Sequence, residues 1–103
     1  MGKTEKRELI NRLTVLLGRL VKWRFQSAKR GRSWRLSIKG QRLDIRDLLD
    51  ENPSLKPVID SIGHAWRRAL IDAEKETRLK SSHFPIDCPW NAESVLNDDF
   101  WPE

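Results

Sequence analysis

Apolar residues recur at helical spacing along three stretches of the chain, and no stretch sustains the period-two alternation of a strand. In the first stretch Leu9, Ile10, Leu13, Leu16, Leu17, Leu20 and Val21 fall on one side of a helix. They cover an arc wider than the usual core-facing stripe of about 100°, and Trp23 extends one edge of it. A helix this apolar on its flanks is expected to pack against at least two neighbours. Its predicted span is about Glu5 to Gln26, with Thr4 as N-cap.

Ser27–Arg32 reads as a loop: Gly31 supplies flexibility, and the Lys29-Arg30-Gly31-Arg32 run is too charged to bury. The second helix is predicted from about Trp34 to Asp50, with Ser33 as N-cap and Trp34, Ile38, Ile45, Leu48 and Leu49 as its core stripe. Gly40 lies in mid-helix, where glycine costs about 1 kcal/mol against alanine. Beside the core stripe Arg35, Lys39, Arg42 and Arg46 follow at spacings of four, three and four, so they project along one face. Leu36 and Leu43, seven apart, lie away from the core stripe and predict a second, smaller contact surface.

Asn52-Pro53 closes the second helix and opens the third, with Asn52 as cap and Pro57 marking the start of regular helix. Leu55, Val58, Ile59, Ile62, Trp66, Ala69, Leu70 and Ala73 then repeat at helical spacing to about Glu76. Ala65, Ala69 and Ala73 permit close approach of a neighbouring helix. Residues 77–90, with Pro85 and Pro89, form an irregular connection. Asn91 is predicted to cap a short helix from Ala92 to about Asn97, with Trp90 and Val95 placed as a hydrophobic staple. The expected fold is all-α: a single domain over residues 1–103, three main helices in an up-down bundle, closed by a C-terminal arm with one short helix. Trp66, Trp90 and Phe100 are expected to pin that arm.

Charge sharpens this picture. Residues 1–46 hold 14 Lys/Arg against 3 Asp/Glu, a net of +11, whereas residues 47–103 hold 6 against 12, a net of −6. A basic half can bind nucleic acid or an acidic partner; it can also fold against the chain's own acidic half, which needs no ligand. The lone Cys88 excludes an intramolecular disulfide and fits a reducing compartment. The apolar run Leu13–Val21 is interrupted by Gly18-Arg19 and is too short to span a bilayer. Met1-Gly2 begins like a myristoylation signal, but Lys6 stands where Ser or Thr is wanted. The expectation is a soluble, cytoplasmic protein with no membrane partner.

The strongest candidate chemistry is anion or nucleic-acid contact by Arg30, Arg32, Arg35, Lys39, Arg42 and Arg46, assisted by Lys22, Arg24 and Lys29. In Lys22-Trp23-Arg24-Phe25 and Arg32-Ser33-Trp34-Arg35 aromatic rings alternate with cations, and exposed rings could stack on single-stranded bases. On helices, however, Trp23 and Trp34 fall with the apolar faces and read as core seals. No recognised nucleic-acid motif is present. His64 lies four residues after Asp60 and four before Arg68, an orientation that suits base chemistry but lacks a nucleophile. His83, Asp87 and Cys88 offer ligand atoms without the paired spacing of a zinc site. The reading therefore names no catalytic residue, no metal ligand and no cofactor. Leu36 and Leu43 remain the candidate association surface.

Six segments occur in one order: Thr4-Glu5-Lys6-Arg7-Glu8-Leu9, Leu20-Val21-Lys22-Trp23, Arg32-Ser33-Trp34-Arg35, Pro53-Ser54-Leu55, Cys88-Pro89-Trp90 and Asp98-Asp99-Phe100. Together they closely resemble the bacterial domain-of-unknown-function family numbered twenty-nine, over essentially the whole chain. The resemblance implies a small helical bundle and supplies no reaction. Family members usually carry a further segment ahead of the part matching Thr4, and commonly have His at the place of Arg19 and Gln at that of Arg24. A broad apolar arc on the first helix, Leu36/Leu43 on the second, and that difference together lead to an expectation of association. The partner would be another copy or a separately encoded N-terminal segment. The functional expectation is a protein–protein interaction or assembly module, with weak, non-specific nucleic-acid binding by the basic face of the second helix as the alternative.

Overall fold

The computed structural model describes residues 2–102, apart from the side chains of residues 2–4, 60, 61 and 81. Its elements are helix α1 (Gly2–Phe25), helix α2 (Arg32–Glu51), helix α3 (Ile62–Thr77) and the short helix α4 (Ala92–Leu96), joined by stretches that include three 3-10 segments. No strand occurs among the described residues, so the all-α class holds.

The broad apolar arc of α1 makes it the centre of the bundle. Leu9, Leu13, Leu16, Leu17, Leu20 and Val21 are all fully buried, because α3 packs on one flank and α2 on the other. Each such side chain contributes on the order of 2 kcal/mol by leaving water. The alanines of α3 give the close approach their size predicts. Ala65, Ala69 and Ala73 are buried, and a Cβ on Gly18 of α1 would sit 4.0 Å from the Ala69 carbonyl.

The ends of the helices depart from expectation in four places. Helix α1 begins at Gly2, so Thr4 lies inside its first turn; the Thr4 side chain is outside the described residues. Helix α2 begins at Arg32, with Gly31 in extended conformation as its N-cap and Ser33 already helical. Asn52 caps the end of α2 instead of the start of α3: its backbone N–H and its Nδ2 both donate to the Leu48 carbonyl, at 3.0 and 3.1 Å. Regular α-helix starts at Ile62, later than Pro57, because Pro53–Ser61 is wound as 3-10 helix. Pro53 and Pro57 each remove a backbone donor, which disfavours continuous α-helix through that stretch.

Helix α3 ends on Arg78, whose φ of 62° lies in the left-handed region; its N–H donates to the Glu74 carbonyl at 3.0 Å. The arm then folds back. Asn91 caps α4 as predicted, its side chain accepting from the Ser94 N–H at 2.7 Å. The three expected aromatic anchors meet in series: Trp66 packs edge-on to Trp90 at 5.4 Å between centroids, and Trp90 to Phe100 at 6.0 Å. Trp66 is buried and its indole N–H donates to the Pro85 carbonyl at 3.0 Å. Two further pairs, Phe25–Phe84 and Trp23–Trp101, seat the arm against the end of α1. Among the described residues no helix is long and apolar enough to cross a membrane.

Candidate functional site

Helix α2 positions most of the candidate residues, and its two polar edges behave differently. One edge faces the arm. Arg42, expected on the surface with its neighbours, is fully buried. Its Nε donates to the Val95 carbonyl at 2.8 Å and its Nη2 to the Phe100 carbonyl at 2.7 Å, while Nη1 reaches the Asp98 carbonyl at 3.5 Å. The guanidinium plane also lies 5.2 Å from the Trp101 ring centre. A buried cation needs its donors satisfied, and three carbonyls at the irregular end of α4 supply that. Burial lowers its pKa from the usual arginine value; the nearby Asp98 opposes this shift and Arg46 adds to it. Arg42 is thus a correction to the predicted basic face: it is an internal clasp with no surface left to offer.

Other members of that face serve the same arm. Arg46 forms an ion pair with Asp98 at 3.0 Å, and Arg35 lies 5.7 Å from the Trp101 ring centre. Arg30 donates from Nε to the Trp23 carbonyl at 2.6 Å and from Nη2 to the Pro102 carbonyl at 3.3 Å, and covers the Trp23 ring at 5.2 Å. The alternation of rings and cations resolves into structural pairs: Lys22 stands over Trp34 and Arg24 over Phe25. Trp23 is buried, and Trp34 is half-buried against the core. The basic half also meets the acidic half directly, through Lys22 with Glu76 and Arg46 with Asp98. Asp44 pairs with Arg12 on α1 at 3.4 Å and not with the basic face.

What remains accessible of the predicted anion contacts is Arg32, Arg35 and Lys39, all exposed. Trp23, Arg30, Gly31, Arg32 and Arg35 line an open groove of about 520 Å³ at the start of α2. The arm was invisible to helical spacing as a partner for Arg42, because its carbonyls lie more than fifty residues away in sequence. The available signal was the coincidence of a basic helix face with an arm rich in aromatic residues and carbonyl-exposing turns.

The opposite edge of α2 faces outward. Leu36 is 53% exposed and Leu43 52% exposed. Between them lies Gly40, around whose Cβ position there is open space. Arg32, Lys39, Asp47 and Asp50 flank this line and are exposed, and none forms an ion pair within the chain among the described residues. Exposed apolar residues elsewhere, such as Ile71 and Ile86, stand singly and need no special account.

The remaining candidates are not drawn together. His64 and His83 are exposed, and the Asp60 side chain lies outside the described residues. The Cys88 thiol donates to the Trp90 carbonyl at 3.2 Å, and burial pushes its pKa up. Among the described residues no group of three His, Cys, Asp or Glu side chains is placed to hold a metal. In the groove between α1 and α3, the Arg19 Nε is buried without a hydrogen-bond partner.

No curated protein and no solved structure matches the chain. A family model matches it over residues 1–101, nearly its whole length: the chain belongs to the family described as Domain of unknown function DUF29.

Proposed function

We propose that this chain is a protein–protein interaction or assembly module whose contact surface is the outer face of α2. The observation that carries the reading is the pair Leu36 and Leu43, each about half exposed on one face, with open space around the Gly40 Cβ position between them. Two leucines one heptad apart, with a small residue at the midpoint, suit the docking of a second helix. The expected occupants are another copy of the chain or a separately encoded segment. A photo-crosslinking residue placed at Lys39 tests this in cells, with the same residue at Glu74 on α3 as control. Protein adducts specific to position 39 are expected; equal or absent crosslinking at the two positions rejects the reading.

The groove lined by Trp23, Arg30, Arg32 and Arg35 supports a second reading, weak and non-specific contact with nucleic acid. Titrating a fluorescent single strand at low salt tests it. Binding that weakens steeply as salt rises, and that Arg32→Glu with Arg35→Glu removes, is the expected outcome. No binding at low salt eliminates it.

A further inference from the structure

We infer that the outer face of α2 binds the same face of a second copy, with the two helices antiparallel about a two-fold axis between Lys39 and Gly40. This rests on the interaction-module reading and specifies its partner. The face is charged in opposite senses at its two ends. Arg32 stands at its start and Asp47, Asp50 and Glu51 toward its finish, all exposed. In the antiparallel pairing centred between residues 39 and 40, Leu36 meets Leu43 of the second copy and Arg32 meets Asp47. The two-fold axis repeats both contacts. A parallel pairing would set Arg32 against Arg32 and Asp47 against Asp47, so like charges select against it. A polyanion is also a poor fit, since the three carboxylates occupy the same face.

A second observation points the same way. Helix α2 has no acidic residue in its first turn and no basic residue in its last. Its first turn instead carries Arg32 and Arg35 and its last carries Asp50 and Glu51. This order opposes the helix's own dipole, which favours acids at the start and bases at the end. An antiparallel neighbour reverses that relation: each end then faces charge of opposite sign, and the two dipoles oppose one another. At the crossing point Gly40 of each copy faces Lys39 of the other, and the missing glycine side chain leaves room for that lysine.

A single helix face lies at the small end of stable interfaces, so the dimer is concentration-dependent. Sedimentation equilibrium over a wide concentration range is the test, with circular dichroism confirming the fold of each variant. The wild type is expected to move from the mass of one chain toward twice that mass. Arg32→Asp alone and Asp47→Arg alone should each weaken dimerisation roughly tenfold, because each converts two attractive pairs into repulsive ones. The double swap, Arg32→Asp with Asp47→Arg on one chain, should restore it, and Leu43→Glu should abolish it. A folded wild type that stays monomeric at every concentration overturns the proposal, as does a double swap no better than the single changes. If position-39 crosslinks then fall only on other proteins, the second copy is excluded while the interaction-module reading stands. If they are absent as well, both fail.

Discussion

The two edges of α2 invert the usual rule of burial. The arm-facing edge buries an arginine, Arg42, and the outward edge exposes two leucines, Leu36 and Leu43. The difference lies in what each edge meets. Opposite Arg42 stand three backbone carbonyls and the face of Trp101, a set of acceptors that a guanidinium fits and an aliphatic side chain would leave unpaired. Leu36 and Leu43 remain about half exposed to solvent. Ile38, Ile45, Leu48 and Leu49 are buried as their polarity predicts, and partner geometry decides the exceptions, Arg42, Leu36 and Leu43.

The comparison breaks most sharply at Arg42. Arg42→Met keeps the apolar stem but strands the carbonyls of Val95 and Phe100, and should lower stability by about 3 kcal/mol. Urea unfolding followed by circular dichroism measures it, and a change of less than about 1 kcal/mol would show that the arm does not depend on this clasp. Trp101→Ala removes the ring between Trp23 and Arg42 and should lower stability by about 2 kcal/mol. Limited proteolysis should then cut the arm faster while the bundle stays helical.

On the outward edge the signs turn. Gly40→Ala adds helix propensity where there is open space and should stabilise the monomer by about 1 kcal/mol. A destabilised variant would mean that another group already occupies that space. Arg32→Asp places an acid in the first turn and should stabilise the isolated monomer by about 0.5 kcal/mol at low salt, an effect that fades as salt is added. A thermal melt at low concentration checks it, and a lower Tm would remove the argument that α2 is charged against its dipole.

Much of the bundle is legible in residue spacing. The seven apolar positions of α1, the alanines of α3 and the Asn91 cap follow from local rules, since helical periodicity and capping act within a few residues. The helix starts at Gly31/Arg32 and Ile62 were less legible, because Ser33 and Pro57 are equally good local signals for other boundaries. The candidate site was half legible. Leu36 and Leu43 were placed outward by spacing alone, and the structure leaves them exposed.

Sequence by itself determined the three apolar helical stripes, the charge asymmetry and the aromatic anchors, because each is a property of residues near one another in the chain. Only the tertiary structure decided the fate of the arginines. Arg35, Lys39, Arg42 and Arg46 share one helix face by spacing, yet Arg42 is buried, Arg46 is ion-paired to Asp98, Arg35 lies over Trp101 and Lys39 is exposed. A guanidinium can be buried only where acceptors converge on it, and those acceptors come from an arm that helical periodicity could not bring to α2.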